Sequence, residues 1–323
     1  MVIVDEYDNH LNGVLSKADF VGGLKEVEDM DNAFKSFFSV LKSAIGNGNG
    51  LVRTFIAGVS PLVLSEFASG FNIGRKPMQQ REFASLFGLS TTDVMRGLDS
   101  IPQLPTASRE AVLQYIKDQH DGYRFFDGPD EPLFNTTRVL GDLDRIQRQD
   151  LNNTSAEGLL ADLRNFIDDN TRPAESALRL ASSNPRCLTV ITKLLSTPRL
   201  LYKPSSPLQF NITLRDYVGI VSSPVTAGLE SFLFFQGALT WASNSTREDP
   251  WLTIPNNLAR EEYIEELKLT CQVRDVVALR NALVSLIESD DVNPLVAAFE
   301  AQFLGVLQAH DVLDGEAGFH KRT

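Results

Sequence analysis

The chain begins with a short apolar run that leads directly into two carboxylates. Val2–Val4 precede Asp5 and Glu6, and an apolar run ending in polar residues is typical of a buried parallel strand. A second run of this kind occupies 51–57, and the apolar residues of 24–45 recur with helical spacing. Strand, helix and strand in this order predict a crossover unit, in which the two strands are parallel neighbours.

Most of the remaining chain has the pattern of amphipathic helices. Ser90 or Thr91 is predicted to cap one helix and Ser108 another. Two alternating segments, 239–243 and 251–254, predict a hairpin between helices, which is the order of a winged-helix-like unit. The proline-rich segment 198–207 is predicted to be a connector, with an exposed linker in the Pro-Ser-Ser-Pro that follows Lys203. The other predicted helices span 93–100, 137–146, 155–168, 185–195, 259–270, 273–288 and 294–309.

Asp5 and Glu6 are the strongest candidates for chemistry. Two carboxylates at the end of a parallel strand fit a Walker-B motif, in which the Asp holds Mg²⁺ and the Glu polarises the attacking water. Such a site also requires a Gly-x4-Gly-Lys-[Ser/Thr] loop earlier in the domain, and the sequence shows none before this strand. The glycine run 46–50 lacks the Lys and follows a helix, so it is not that loop. A strand-end Asp also caps turns, and this structural role stays open for Asp5.

Two further residues are candidates for contacting a nucleotide. Ser60 follows the second strand, so it should lie at the same sheet edge as Asp5, where a polar side chain senses the γ-phosphate. Arg124 could contact a nucleotide, although an arginine that stabilises a turn among aromatic neighbours is the favoured interpretation. A nucleophilic role for Ser60 is rejected, because Gly58-x-Ser60-x-Leu62 lacks the second Gly of a nucleophile elbow.

Several short motifs follow one another in the order found in the predicted AAA-ATPase-like family. They are Val4-Asp-Glu-Tyr-Asp8, Phe55-Ile-Ala-Gly-Val-Ser-Pro61, Ser69-Gly-Phe-Asn72, Phe87-Gly-Leu-Ser-Thr-Thr-Asp-Val94, His120-Asp-Gly-Tyr-Arg-Phe125, Leu133-Phe-Asn135 and Leu252-Thr-Ile-Pro-Asn256. Over 1–270 the chain therefore resembles this family, whose members often carry a nuclease-like domain of the PD-(D/E)XK type. The resemblance implies ATP and Mg²⁺ as cofactors.

The chain also departs from the family pattern. The Walker-A region is missing, Ala57 replaces the usual Thr, and Thr136 replaces a Pro. Glu300 lies where a nuclease-like helix would carry a Glu, but no Asp and Glu-x-Lys pair follows it, so it is interpreted as a solvated helix residue. The metal site would thus rest on Asp5, and the catalytic base would be Glu6.

The predicted fold class is helix-rich α/β, with a partial P-loop-type parallel sheet, a helical lid and a winged-helix-like subdomain. The predicted regions are a partial α/β core at 1–75, a helical lid at 76–200, the winged-helix-like unit at 201–270 and a helical tail at 271–323, which would begin a truncated nuclease-like region. The predicted function is a truncated or degenerate AAA-ATPase-like protein acting as a non-hydrolysing binding or regulatory module. The alternative is a fragment of an active Mg²⁺-dependent ATPase that acts with a nuclease-like domain.

Composition and charge limit which classes of binding partner are expected. The net charge of −12 argues against a nucleic-acid platform, and no apolar run is long enough to span a membrane. Cys187 and Cys271 are interpreted as free thiols in a reducing compartment, so a cytoplasmic or nuclear location is expected. A metal site at Asp8 and His10 is conceivable, but a loop histidine is favoured. Apolar surface at the incomplete sheet predicts poor solubility or a protein partner.

Overall fold

The structure is a computed structural model. It describes residues 1–8, 20–46, 51–59, 80–126, 130–149, 155–165, 185–197, 201–204, 207–209, 228–246, 248–270 and 275–302. Helices dominate these residues, which confirms a helix-rich α/β fold. The strands are β1 (Val2–Val4), β2 (Thr54–Ile56), β3 (Leu201–Tyr202), β4 (Thr240–Trp241) and β5 (Leu252–Thr253). The helices are α1 (Phe20–Gly46), α2 (Thr91–Asp99), α3 (Thr106–His120), α4 (Thr136–Arg148), α5 (Ala156–Asn165), α6 (Pro185–Ser196), α7 (Leu229–Phe235), α8 (Asn257–Thr270), α9 (Val276–Ser289) and α10 (Asn293–Gln302), with a 3₁₀ helix at Arg81–Leu86.

β1 and β2 form the parallel pair that the first apolar runs predict. Ile3 lies opposite Phe55 in the register, and α1 connects the two strands in sequence. The prediction that the first strand is buried is wrong for one of its faces. Val2 and Val4 pack against the core, whereas Ile3 is 62% exposed and Phe55 is 59% exposed. The described residues therefore cover only one face of this sheet.

The other sheet is antiparallel and has the order β3-β5-β4. The hairpin predicted from 239–243 and 251–254 is present as β4 and β5. The connector predicted over 198–207 contains a strand that was not predicted, β3, in which Leu201 pairs with Thr253 and the side chain of Tyr202 is buried. A strand of two residues is too short for alternation to reveal it, and burial against the hairpin stabilises it instead.

Two apolar clusters hold the first part of the chain together. One joins α1, α6, α7, the antiparallel sheet and α8, with Phe38, Phe232 and Tyr263 almost completely buried. The other lies between α2, α3, α4 and α5, where Val112 and Phe134 are fully buried. Removing such side chains from water is the main favourable contribution to folding.

The helix starts show which capping signals the sequence carries. Ser90 caps α2 as predicted: its hydroxyl accepts the N–H of Asp93, and the Asp93 carboxylate accepts the N–H of Ser90. The Ser90 hydroxyl also donates to the Asp93 carboxylate at 2.6 Å, and this bond, together with the one from the Ser90 N–H, lowers the pKa of Asp93. The prediction that Ser108 caps a helix is wrong, because α3 already begins at Thr106 after Pro105, and Ser108 is buried inside it. Proline is well suited to such a start because its φ is already helical.

The chain divides into two compact units, Met1–Glu266 and Leu267–Thr323. In the second unit α9 packs against α10. The division into four regions at 1–75, 76–200, 201–270 and 271–323 stays a prediction. No helix in the described ranges combines the length and apolarity needed to cross a bilayer.

Candidate functional site

The ends of β1 and β2 form a site that we call the carboxylate edge, made of Asp5, Glu6, Asp8, Gly58 and Val59. Backbone hydrogen bonds continue beyond the paired strands here. The N–H of Ala57 donates to the carbonyl of Val4 at 2.9 Å, and the N–H of Tyr7 donates to the carbonyl of Ala57 at 3.2 Å. The carboxyl ends of both strands are thus held at one edge, as expected for a parallel pair.

Asp5 and Glu6 are exposed at this edge. The Asp5 carboxylate accepts the N–H of Glu6, the next residue along the chain, at 3.0 Å. Glu6 has a φ of +48°, in the left-handed region that costs a non-glycine residue about 1–2 kcal/mol. Such strain is concentrated at functional positions in proteins.

Asp8 has a different role from its two neighbours. It is 1% exposed, and its carboxylate accepts the N–H of Val59 at 3.2 Å. A Cβ on Gly58 would collide with this carboxylate and with the ring of Tyr7. Asp8 therefore ties the segment after β1 to the segment after β2, a role that sequence reasoning missed. His10, its conceivable metal partner, lies outside the described residues.

The carboxylates of the edge could bind Mg²⁺ only if the ion kept several of its water ligands. Mg²⁺ usually keeps several waters and takes one or two carboxylates together with substrate phosphates, and Asp5 and Glu6 are accessible for such contacts. No group of three or more His, Cys, Asp or Glu side chains in the described ranges forms a metal cage. Ser60, the predicted phosphate sensor, lies outside those ranges.

Arg124 makes its hydrogen bonds with residues that are not part of the carboxylate edge. Its backbone N–H donates to the Thr240 hydroxyl at 2.6 Å, and that hydroxyl donates back to the Arg124 carbonyl at 3.1 Å. Its guanidinium donates to the carbonyl of Asp130. These are the contacts of a turn-stabilising arginine, while its contact with a nucleotide stays a prediction.

Four of the sequence motifs meet around Arg124, in a region that we call the motif junction. It comprises 87–89, 120–125, 133–135 and 252–256, together with Thr240. Leu89 pairs with Phe134, and Tyr123 pairs with Leu133, each through two backbone hydrogen bonds. The described members of this set therefore form one connected structure, although they are scattered along the chain.

Asn256 and Gly122 join the most distant motifs of the junction. The Asn256 amide donates to the carbonyl of Asp121 at 2.9 Å, and its side-chain oxygen accepts the N–H of Ala259 at 3.0 Å, which caps α8. Gly122 has a φ of +100°, and a Cβ there would collide with the carbonyl of Pro255. Gly122 is thus required both by its backbone conformation and by the close approach of Pro255.

The side chains of His120 and Asp121 both have hydrogen-bond partners. His120 Nε2 lies 2.9 Å from Asp142 Oδ2, and both side chains are buried. Burial raises the pKa of Asp121, while the N–H of Gly122 partly offsets this effect by hydrogen bonding to the carboxylate. An open cavity of about 340 Å³ adjoins the junction. Its charged lining is balanced, with Lys117 and Arg260 against Asp118 and Asp121.

The comparison with protein families concerns the carboxylate edge and not the motif junction. Residues 1–68 match the family model described as Predicted AAA-ATPase. No curated protein and no solved structure matches the chain. The carboxylate edge lies wholly inside the matched segment, and the motif junction lies outside it. Over residues 1–68, the resemblance of this chain to the predicted AAA-ATPase family is thereby confirmed.

Proposed function

We propose that the chain acts as an AAA-ATPase-like binding or regulatory module without nucleotide turnover. The observation that carries this proposal is that residues 1–323 contain the acidic residues of the predicted site but not its phosphate-binding lysine. The carboxylate edge has two exposed acidic residues, as the proposed Walker-B strand requires, whereas no Gly in residues 1–323 is followed by Lys. Residues 1–323 therefore do not themselves supply the lysine that contacts the β- and γ-phosphates in P-loop ATPases.

A second candidate is an Mg²⁺-dependent ATPase whose phosphate loop comes from another segment or another chain. The φ of +48° at Glu6 favours this candidate, because strained backbone conformations in proteins are concentrated at catalytic and binding residues. In this candidate Asp5 lies on the metal side and Glu6 polarises water. When bound, Mg²⁺ would neutralise phosphate charge, and Ser60 and Arg124 are the proposed nucleotide contacts.

The two candidates are separated by titrating the full chain with ATP, with and without Mg²⁺, in a calorimeter, and by measuring phosphate release. The test variants are Asp5→Asn and Glu6→Gln. The matched controls are Asp290→Asn, which also has a positive φ, and the exposed Glu300→Gln. The binding-module proposal expects no Mg²⁺-dependent heat and no phosphate release from any of the five proteins.

Magnesium-dependent ATP binding that is lost in both test variants and kept in both controls would overturn the binding-module proposal. It would establish that the carboxylate edge completes a nucleotide site. Binding that is lost equally in the control variants would point to a general effect of removing a charge.

The finer architecture is proposed on the same basis. α7, the β4–β5 hairpin and α8 have the element order of a winged-helix-like unit, and we propose that the helices of 76–200 form a lid. Acidic residues such as Glu261 and Glu265 follow the hairpin, so we propose contact with protein rather than with nucleic acid.

The uncovered face of the parallel sheet supports a protein partner. Ile3 and Phe55 are paired across the two strands and are both more than half exposed. Exposed apolar patches of this kind mark interaction sites or aggregation-prone surfaces. We propose that another protein segment covers this face when the module is engaged.

A further inference from the structure

The open cavity beside the motif junction lies between the ends of two helices. The end of α3 and the turn after it line one side, and the segment after β5 and the first turn of α8 line the other. The volume of about 340 Å³ is near the lower end of the range of about 300–1,000 Å³ for small-molecule sites. The close approach of Gly122 to Pro255, and the hydrogen bond from Asn256 to Asp121, hold the two sides together.

The two sides of the cavity contain unpaired charged side chains. Neither Lys117 nor Arg260 has a side-chain hydrogen bond or an ion pair with another described residue. Asp121 is half-buried, and among the described residues its carboxylate accepts only the N–H of Gly122, at 2.7 Å. Burial raises the pKa of Asp121 in spite of this hydrogen bond. The cavity therefore contains two cations without a partner and a carboxylate that burial leaves short of compensating positive charge.

The helix ends add partial charges of opposite sign to the two sides. The peptide dipoles make the C-terminal end of a helix partially negative and its N-terminal end partially positive. The end of α3 therefore favours a bound cation, and the start of α8 favours a bound anion. The side-chain oxygen of Asn256 caps α8 through the N–H of Ala259, whereas the N–H of Asn257 has no partner among the described residues. That N–H can donate to an anion in the cavity.

The balance of these charges indicates the class of ligand. A simple anion is attracted by Lys117 and Arg260 but repelled by Asp118 and Asp121, and a simple cation meets the reverse pattern. Asp118 already accepts a hydrogen bond from the Gln114 side chain at 2.8 Å, so Asp121 is the carboxylate with the greater need of a cation. A molecule that has both a carboxylate and an ammonium group complements both sides of the cavity.

We propose that this cavity binds a small zwitterion, namely an amino acid with an apolar side chain. The carboxylate of the amino acid binds at the start of α8, to the N–H of Asn257 and the guanidinium of Arg260. Its ammonium group binds at the end of α3, against Asp121. Ile254 and Pro255 form the apolar part of the lining, and the side chain of the amino acid packs against them. The proposal is independent of nucleotide binding at the carboxylate edge.

The test is a calorimetric titration of the full chain with L-leucine at pH 7. Two ligands with the same side chain serve as controls: N-acetyl-L-leucine lacks the ammonium group, and L-leucine amide lacks the carboxylate. L-Leucine should bind, and each control ligand should bind at least about tenfold more weakly, because each loses the charge-assisted hydrogen bonds of one side of the cavity.

Arg260→Gln and Asp121→Asn each remove one charge, from opposite sides of the cavity. Each should weaken the binding of L-leucine about tenfold, because a charge-assisted hydrogen bond is lost. The matched controls are Arg280→Gln and Asp290→Asn, which change exposed residues outside the cavity lining, and both should bind like the wild type. Circular dichroism and thermal unfolding establish that the four variants remain folded.

Lys117→Gln and Asp118→Asn replace the first two variants if either of those alters folding. Failure of L-leucine to bind the wild-type chain would overturn the proposal. So would an equal affinity for N-acetyl-L-leucine, which would indicate a simple anion site, or an equal affinity for L-leucine amide, which would indicate a simple cation site. Equal losses in the two control variants would also overturn it, because they would reveal a general effect of charge.

Discussion

The carboxylate edge and the motif junction both contain sequence motifs of the resemblance, but they use their residues differently. At the edge, Asp5 and Glu6 are exposed at the end of a strand. At the junction, Gly122, Thr240 and Asn256 are committed to contacts with other backbone segments. Short motifs of one resemblance can therefore leave carboxylates exposed in one place and assemble the fold in another. Substitutions at the two regions should differ in their effect on stability, since those at the edge should leave it nearly unchanged and those at the junction should lower it.

The largest effect is expected for Gly122→Ala. The new Cβ would meet the carbonyl of Pro255 in a backbone conformation with φ of +100°, so we expect a loss on the order of 3 kcal/mol in the free energy of unfolding. Urea denaturation measures this quantity. The matched control is Gly141→Ala, on an open side of α4 with nothing within 4 Å, which should gain about 0.5–1 kcal/mol from helix propensity. Equal effects at both glycines would contradict the close packing of the junction.

Thr240→Val should have the next largest effect. It removes the hydroxyl that serves both the N–H and the carbonyl of Arg124, and leaving such groups unsatisfied costs about 1–3 kcal/mol. Thr240→Ser keeps the hydroxyl and should retain most of the stability. If the Val and Ser variants are equally stable in thermal unfolding, Thr240 contributes to the junction only by packing.

Asp121→Asn should change how stability depends on pH. Burial raises the pKa of this carboxyl in the folded protein, so the unfolded chain releases the proton at lower pH. Asp121 therefore favours folding below its unfolded pKa of about 4, and this contribution is lost as the pH rises through the folded pKa. The side-chain amide of the Asp121→Asn variant can still accept the N–H of Gly122. The variant should therefore gain stability relative to wild type at pH 7 and show no gain at pH 3.

Unfolding curves of the wild type and of Asp121→Asn at both pH values provide the comparison. A gain of the same size at pH 3 would contradict burial of the charged carboxylate as the cause.

The smallest change in stability is expected at the edge itself. Asp5→Asn and Glu6→Gln alter exposed side chains, so each should change the free energy of unfolding by less than about 0.5 kcal/mol. Guanidinium denaturation of the two variants checks this expectation. A loss as large as that of Thr240→Val would mean that the edge is structural like the junction.

Local signals in the sequence were sufficient for the parts of the fold that short-range patterns determine. The parallel pairing of β1 with β2 follows from two apolar runs on either side of a helix. The cap at Ser90 depends only on Asp93, three residues further along, with which it exchanges hydrogen bonds. β3 and the buried position of Ser108 were missed, because each depends on packing against distant residues.

The candidate site was predictable in part for the same reason. Asp5 and Glu6 follow an apolar strand, and their position at a parallel-strand end could be inferred from that alone. The anchoring role of Asp8 could not, since it depends on the N–H of Val59, 51 residues further along the chain. The Gly-Val that follows the second strand was the available signal, because a glycine there permits the close approach of Asp8.

The contacts of Asn256 with Asp121 and of Thr240 with Arg124 join residues 135 and 116 positions apart. Closing loops of this size costs entropy before any contact is gained, and contacts between distant residues slow folding. The helices over 91–148 interact mainly with near neighbours in the chain, so they are expected to assemble first. The junction would then form as a late step, and a ribosome would have to complete residue 256 before its last hydrogen bond could be made.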